Sequence, residues 1–120
     1  MNREIKFRNW NKSFNQMTYF SIKDDARNFE FSSILMQFTG LKDKNGKESY
    51  EGDICKGLLP AGGFWGNIKV EKIGQVIYNQ EMCRFQIEWK WSKNQHHIDL
   101  DCDSDFEIIG NIYEKPELIK

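Results

Sequence analysis

The chain has 120 residues, of which 39% are hydrophobic and 14% aromatic, and this size and composition suit one domain with its own core. Seventeen basic and eighteen acidic side chains give a formal net charge of -1, which excludes a global electrostatic attraction to DNA or to an anionic membrane. The first residues, MNREIKFRNW, lack the apolar segment of a signal peptide, and no run approaches the roughly 18 apolar residues that span a bilayer, so we expect a cytoplasmic protein.

The N-terminal third of the chain predicts β-structure. The stretches EIKFRNW and MTYFSI are joined by polar residues, and together they predict an antiparallel hairpin near residues 4–22. The next apolar segment, residues 29–38, is ambiguous. Phe31, Ile34 and Phe38 have helical spacing, but apolar and polar residues also alternate there. We expect a strand in the second half of this segment, with one short helical turn before it.

The middle of the chain carries two turn signals. Asn45-Gly46 lies between polar residues, and both residues tolerate the positive φ of a type I′ hairpin turn. Further along, Gly52 and Asp53 precede the apolar Ile54, and a short Asp side chain commonly caps such a turn by accepting from backbone N–H groups. We therefore expect a hairpin at Asn45-Gly46, a turn capped by Asp53, and a strand beginning near Ile54.

A glycine-rich stretch, KGLLPAGGFWGN (Lys56–Asn67), is typical of a long mobile loop. It combines flexible glycines with the apolar side chains of Leu58, Leu59, Phe64 and Trp65. Exposed apolar clusters mark binding sites for partner proteins, so these four residues are the candidate partner-binding site. The alternative is that they fold back onto the sheet.

The second half of the chain holds the clearest strand signal, RFQIEWKW. Its apolar residues alternate strictly with polar ones at Phe85, Ile87, Trp89 and Trp91. With the upstream stretch GQVIY, it predicts an antiparallel hairpin near residues 73–91, and FEIIGNIY predicts a strand near residues 106–113. The fold class is therefore mainly β. Because short strands at regular spacing follow a Gly-Asp turn, we expect the second half to form a small SH3-like or barrel-like sheet.

The cysteines and the potential nucleophiles suggest no catalytic site. Cys55, Cys83 and Cys102 form no CxxC pair, and their odd number fits reduced thiols that act as small buried hydrophobic residues. No Ser-His-Asp or Cys-His arrangement can be argued from the spacing. We expect no enzymatic activity and no cofactor.

An acidic run near the C-terminus is the candidate metal site. Its carboxylates are those of Asp99, Asp101, Asp103, Asp105 and Glu107. In an extended strand the aspartates would share one face and could bind a divalent cation, but the EF-hand pattern fails, because Ser104 replaces its glycine and Gly110 its bidentate glutamate. We predict that basic side chains, Arg84 and Lys90 first, neutralise the run and that no metal is bound.

A second possible function is binding of single-stranded nucleic acid. Lys6 and Arg8 would share one face of the first strand with Trp10. Single-strand binders combine such cationic grooves with aromatic rings on which bases stack. Lys6, Arg8 and Trp10 are therefore the candidate nucleic-acid site.

Three stretches together resemble the YopX family of phage and prophage proteins: REIKFRNW, LMQFTGLKDKNGKESYEGDI (residues 35–54) and FEIIGNIYEKPELI (residues 106–119). Two positions depart from the family pattern. Asn11 stands where the family usually has an acidic residue, and Ser49 stands where an apolar residue usually precedes Tyr50. The second departure predicts an edge position that packs less tightly.

The resemblance implies a small, mostly β protein from a temperate phage or an integrated element, without catalytic residues that can be carried over. We expect one YopX-like domain over residues 1–120, with a possible N-terminal β subdomain (1–50) and a barrel-like part (51–115). The expected function is a non-enzymatic interaction or assembly module that binds an unknown protein partner or a second copy of itself. The alternative is a small β-barrel protein that binds single-stranded nucleic acid.

Overall fold

Most of the described chain is β-strand, as the sequence predicts. The computed structural model describes residues 5–21, 33–60, 69–91, 94–100 and 106–119. Within this part of the chain the strands are β1 Lys6–Asn11, β2 Gln16–Ser21, β3 Ser33–Lys42, β4 Glu48–Tyr50, β5 Asp53–Pro60, β6 Lys69–Asn79, β7 Arg84–Trp91, β8 Asn94–Asp99 and β9 Phe106–Asn111. A short 3-10 helix, Pro116–Ile119, follows. The mainly β class, both predicted hairpins and the C-terminal strand are confirmed.

The first sheet is antiparallel, with strand order β2-β1-β3-β4. In the centre of this sheet, Arg8 of β1 lies opposite Tyr19 of β2 and Met36 of β3. Paired residues point to the same face, so these three side chains share the face on which Arg8 and Met36 are buried. The ambiguous segment is a strand from Ser33 onward, as expected for its second half, and its first half lies outside the described residues.

The hairpin between β3 and β4 is present, but its turn is not type I′. Gly46 has a φ of +83°, whereas Asn45 has a negative φ. Backbone bonds run from Gly46 N to Asp43 O (3.0 Å) and from Asp43 N to Lys47 O (2.8 Å). This is a turn with one left-handed glycine, the pattern of a slightly longer hairpin loop. The Asp43 carboxylate favours it, because Oδ1 accepts from the backbone N–H groups of Asn45 and Lys47.

The two departures from the family pattern have structural roles here. Asn11 Oδ1 accepts from the backbone N–H groups of Ser13 and Phe14, so an uncharged side chain caps the β1–β2 turn. Ser49 lies on β4, an edge strand among the described strands of its sheet, as predicted. The expectation of looser packing is wrong, because Ser49 is fully buried and its hydroxyl bonds to the Thr39 hydroxyl and to a β3 carbonyl.

The second sheet is an antiparallel half-barrel with strand order β8-β7-β6-β5-β9, which confirms the barrel-like expectation. Its buried core consists of Cys55, Val76, Ile87, Trp89, Phe106 and Ile108. The sheet is closely packed at Gly74, where an added Cβ would lie 2.7 Å from Ile87 Cγ2 and 2.9 Å from Glu88 O. Among the described residues, no helix is long and apolar enough to cross a membrane.

Gly52 connects the two sheets. The first sheet uses residues 6–50 and the second begins at Asp53. Gly52 N donates to Val76 O, and Gly52 O accepts from Ile112 N, both at 2.9 Å. Its φ of +87° is a conformation that side-chain-bearing residues rarely adopt. The predicted turn at this position therefore fixes how the chain passes from one sheet to the other.

Two sequence predictions about the second sheet need correction. Lys56 to Pro60 belong to β5, whose pairing with β6 continues to Pro60 opposite Lys69, so the predicted loop is wrong over these residues. Backbone pairing extends a strand through the glycine and leucines that suggested flexibility. Cys55 is buried as expected, but Cys83 is exposed in the turn before β7, where its φ is +54°. Cys102 lies outside the described residues.

Candidate functional site

A buried ion pair joins the two sheets. Arg8 Nη2 lies 2.7 Å from Asp53 Oδ1, and the two side chains are 4% and 3% exposed. Arg8 Nη2 also donates to Glu51 O at 3.0 Å, and the guanidinium carbon lies 4.9 Å from the centre of the Tyr50 ring. Asp53 Oδ2 accepts from Tyr50 N at 2.7 Å, which confirms that Asp53 caps the turn.

Each oxygen of the Asp53 carboxylate thus has a donor from the protein. Burial raises the pKa of Asp53, and the charge of Arg8 and the amide of Tyr50 oppose this rise. At 3–4% exposure the guanidinium neutralises the carboxylate, while the buried Nε of Arg8 has no hydrogen-bond partner among the described residues. The pair therefore serves the junction of the sheets, and it offers little to a proton-transfer reaction, which needs a group within reach of a substrate.

A cleft of about 490 Å³ opens next to this pair, and we call it the junction cleft. Its walls come from β1, β2, the β3–β4 hairpin, the start of β5, and β9 with the turn that follows it. The accessible part of the lining includes Tyr19, Lys47, Glu48, Gly110, Glu114 and Lys115. Both sheets contribute, so the cleft exists only because the Gly52 connection brings them together.

Two tyrosines form the aromatic part of the junction cleft. The Tyr19 ring meets the Tyr50 ring edge-on, with centroids 5.6 Å apart and planes at 71°. Tyr50 is 4% exposed, and burial raises its pKa, with a further rise from the nearby Glu48 carboxylate. Tyr19 is 58% exposed. Tyr19 is therefore the aromatic surface that a ligand in the cleft can reach.

The carboxylates of the cleft are engaged within the protein. Glu48 Oε2 lies 2.6 Å from Lys6 Nζ, and Glu114 Oε1 accepts from Asn111 Nδ2 at 2.9 Å. The third, Asp53, pairs with Arg8. By contrast, within the described part of the chain the ammonium groups of Lys47 and Lys115 have no hydrogen-bond or ion-pair partner. Glu114 keeps its negative charge, because its partner is a neutral amide, so apart from the two ion pairs the lining has two ammonium groups and one carboxylate, a small positive surplus.

The candidate nucleic-acid residues lie together on one face of β1, and two of the three are buried. Arg8 and Trp10 are 3% and 8% exposed, and the Trp10 ring stacks on Tyr113 with centroids 5.9 Å apart. Lys6 pairs with Glu48, and its ammonium lies 5.5 Å from the centre of the Phe38 ring. Arg8 and Trp10 are thus buried and Lys6 is half-buried, with its side chain 32% exposed. Binding of nucleic acid by these three residues stays a prediction.

The structure does not bring the candidate partner-binding residues into one described site. Leu58 and Leu59 lie on β5, opposite Glu71 and Val70 of β6. Phe64 and Trp65 lie outside the described residues. Their role in partner binding stays a prediction.

The acidic run is neutralised at Asp99, whereas among the described residues the Glu107 carboxylate accepts only from the neutral Asn45 Nδ2, at 3.4 Å. Arg84 Nη1 lies 2.7 Å from Asp99 Oδ2, and Gln86 Nε2 donates to Asp99 Oδ1 at 2.9 Å. These bonds, from Gln86 first and then Arg84, lower the pKa of Asp99. The predicted role of Arg84 is therefore confirmed. The Lys90 side chain is outside the described set, as are the three aspartates at 101, 103 and 105, and the described residues contain no group of three potential metal ligands.

Sequence analysis missed Asp43, which links the hairpin to the second sheet. Its Oδ1 accepts two N–H groups of its own turn, and Oδ2 accepts the N–H of Ile108 on β9 at 2.9 Å. Burial alone would raise its pKa, but the three amide donors outweigh burial and lower it. An aspartate two residues before Asn-Gly signals the local turn. No local sequence pattern predicts its bond to β9, or that Lys47 and Lys115 line the same cleft.

The two antiparallel sheets, the buried ion pair and the cleft beside it define a small mainly β protein with a cleft at the junction of its sheets. The family model described as YopX protein matches residues 21–120, and the chain belongs to this family. The crystal structure of protein EF1440 from Enterococcus faecalis is similar, with 24% sequence identity, a TM-score of 0.52, and coverage of 97% of this chain and 98% of that chain. This similarity supports the fold. No curated protein matches the chain.

Proposed function

We propose that this protein is a non-enzymatic interaction or assembly module of a phage or prophage, and that the junction cleft is its contact surface. The observation that carries the proposal is the contrast within the cleft. The ion pair at its base is closed, whereas Tyr19 is 58% exposed and two lysines beside it have unpaired ammonium groups in the described structure. The phage or prophage origin rests on the resemblance to the YopX family.

A binding role uses these groups better than a catalytic one. A general acid or base must reach the reacting atoms, and the groups nearest to the cleft floor are 3–4% exposed and bonded to each other. Binding sites, in contrast, combine an aromatic anchor with a few charged groups around it. Tyr19, Lys47 and Lys115 form such a set.

Site-specific photo-crosslinking tests the contact surface. A photoreactive phenylalanine analogue replaces Tyr19 in one variant and Ile73 in a matched variant, because Ile73 is 44% exposed but lies on β6 and outside the cleft lining. After irradiation in the host cell, we expect a defined crosslinked product from position 19 and not from position 73. A covalent dimer would identify a second copy as the partner. The same products from both positions, or none from position 19, would contradict the proposal.

The same experiment tests the earlier prediction for the apolar residues after β5. Phe64→Ala/Trp65→Ala is combined with the photoreactive group at position 19. Loss of the crosslinked product would add these two residues to the contact surface, and unchanged product would remove them from it. The phage origin is tested by measuring the transcript during prophage induction. We expect it to rise with the phage genes, and a constant level would count against this origin.

A further inference from the structure

We infer that the junction cleft binds an acidic peptide segment: an extended stretch of a partner protein with carboxylate side chains on both sides of an apolar or aromatic residue. This inference rests on the proposed function and adds the chemistry of the partner. It comes from the charges, the aromatic surface and the anchoring of the cleft residues.

Charge complementarity is the first argument. Lys47 and Lys115 line the cleft, one from the β3–β4 hairpin and one from the turn after β9. Among the described residues neither ammonium group makes a hydrogen bond or an ion pair, although the charge of Lys47 favours the ionised forms of Asp43 and Asp53, and Glu48 is neutralised by Lys6. An isolated ammonium group at a partly enclosed surface is a ready partner for a carboxylate. Two such groups on different walls favour a ligand with more than one carboxylate.

The aromatic surface is the second argument. Tyr19 presents 58% of its surface beside the lysines, and its edge-on contact with the buried Tyr50 holds the ring. A held ring loses little conformational entropy when an apolar side chain packs against it. The combination favours a peptide in which an apolar or aromatic residue lies close to the acidic ones.

The third argument is that the backbone holds both lysines in place. Lys47 N donates to Asp43 Oδ1 at 2.8 Å, and this carboxylate is also bonded to β9. Lys115 N donates to Asn111 O at 2.9 Å. The stem of Lys115 lies against Gly110, since a Cβ there would be 3.1 Å from Lys115 Cδ. The backbone of both lysines and the side-chain carbons of Lys115 are therefore held in place, while the two ammonium groups remain available to a ligand.

The lining favours a peptide over a nucleic acid. Glu114 keeps its negative charge in the lining, and a polynucleotide, which carries a phosphate at every step, has less freedom than a peptide to keep its charges away from this carboxylate. Single-strand binders also present several rings for stacking, whereas Tyr50 is buried and only Tyr19 of this pair is accessible. A peptide can place its carboxylates at the lysines and leave neutral groups near the glutamates.

Fluorescence anisotropy with defined probes tests the inference. The probes are a labelled octapeptide with four acidic residues around one phenylalanine, its Asn/Gln counterpart, and a twelve-nucleotide oligo-deoxythymidine. We expect the acidic peptide to bind and its neutral counterpart not to bind. Lys47→Gln/Lys115→Gln should weaken binding by about tenfold or more, because two charge pairs are lost. Added salt should weaken binding by the wild type.

Lys12→Gln is the matched control, because Lys12 is exposed in the β1–β2 turn and is absent from the cleft lining. It should bind the acidic peptide like the wild type. Equal binding by the wild type and the double lysine variant would overturn the inference, as would no binding of the acidic peptide at low salt. Lysine-dependent binding of the oligonucleotide alone would also overturn it, in favour of nucleic acid.

The inference can fail while the proposed function survives. One outcome is that the photoreactive group at position 19 captures the same partner with and without Lys47→Gln/Lys115→Gln. In that case the cleft is a contact surface, but it does not recognise the carboxylates of the partner. If position 19 captures nothing, the proposed function itself fails. The two results are therefore distinguishable in one set of variants.

Discussion

The core of the second sheet and the junction between the two sheets are stabilised by different kinds of interaction. The core of the second sheet is apolar and includes the fully buried Val76, Ile87 and Phe106. The first sheet also buries apolar side chains, among them Met36 and Phe38, but its junction with the second sheet adds the buried charges of Arg8 and Asp53. Apolar burial is non-directional and tolerates many partners, whereas a buried charge needs one particular partner in one geometry. The stability of the second-sheet core therefore depends on the pattern of apolar residues, and the stability of the junction depends on individual charged and hydrogen-bonded pairs.

The largest effect should follow from breaking the buried pair. Asp53→Asn leaves the Arg8 guanidinium buried without its counterion, and such changes cost about 3–5 kcal/mol of folding free energy. Urea denaturation measures the loss. The matched variant is Asp99→Asn, because Arg84 and Asp99 are also 2.7 Å apart but are 47% and 48% exposed. Solvent and salt screen an exposed pair, so this variant should unfold like the wild type within experimental error.

A double replacement sharpens the same comparison. Arg8→Met/Asp53→Leu removes both charges and fills the space with apolar groups, and we expect it to be more stable than Asp53→Asn. If the double variant is as unstable as Asp53→Asn, the hydrogen bonds that Arg8 and Asp53 make to Glu51 O and Tyr50 N matter more than the charges. Equal losses of folding free energy in Asp53→Asn and Asp99→Asn would contradict the proposed dependence of the junction on its buried pair.

The contrast between the apolar core and the junction also explains which features could be predicted from the sequence. The alternation around Ile87 and Trp89 predicts the strand and its buried face because it depends only on neighbours along the chain. The candidate site depends on contacts over long sequence distances. Arg8 has the alternation of a surface residue, and its burial follows from Asp53, which lies far along the chain in the next sheet. No local pattern contains that contact.

The two local predictions that are wrong have the same cause, which is bonding to residues far along the chain. Lys56 to Pro60 have the composition of a loop, but backbone bonding to β6 makes them a strand. Asn45-Gly46 has the composition of a type I′ turn, but the Asp43 carboxylate selects another turn and binds Ile108 with its second oxygen. In both places a partner elsewhere in the chain overrides the local preference.

The second prediction concerns Asp43, which joins the two sheets through hydrogen bonds rather than through an ion pair. Asp43→Asn replaces one acceptor oxygen by an amide donor facing an N–H group, so at least one of its three backbone bonds is lost. We expect a loss of about 1–3 kcal/mol near neutral pH, the cost of leaving a buried polar group unsatisfied. Urea denaturation of both proteins measures it.

The pH dependence identifies the charge of Asp43 as the cause. Its pKa is lowered from the ordinary value of 3.8, so the stability that its ionised form contributes is present above that value and is lost as the pH falls through the folded-state pKa. The difference in free energy of unfolding between the wild type and Asp43→Asn should therefore be constant near neutral pH and shrink below pH 3.8. A difference that does not change with pH would show that the charge of Asp43 is unimportant.

The third prediction compares two glycines with nearly the same backbone conformation. Gly52 and Gly46 have φ values of +87° and +83°, so an alanine at either position costs about 1–2 kcal/mol in left-handed strain. At Gly46 the space is open, but at Gly52 the added Cβ would lie 3.1 Å from Met36 Sδ. We expect Gly52→Ala to be the less stable variant in thermal denaturation. Equal melting temperatures would show that the junction of the sheets can move to make room.

The smallest effect on stability is expected at Cys83, which is exposed, unlike the buried Cys55 of the same sheet. Cys55 belongs to the apolar core, and burial, reinforced by the Asp53 charge, raises the pKa of its thiol to about 12. Cys83 is exposed in a turn, so Cys83→Ser should change the free energy of unfolding by less than about 0.5 kcal/mol.

The rate of alkylation distinguishes the exposed thiol of Cys83 from the buried thiol of Cys55. Because the thiolate is the reactive form, iodoacetamide near pH 8 should modify Cys83 in the folded protein and Cys55 only when the core of the second sheet opens. Mass spectrometry of the peptides that contain each residue measures the two rates, and urea should raise the Cys55 rate in parallel with global unfolding. If Cys55 instead reacts as fast as Cys83 without urea, the apolar core opens locally. The polar junction, with its directional bonds, would then be the more rigid half of the molecule.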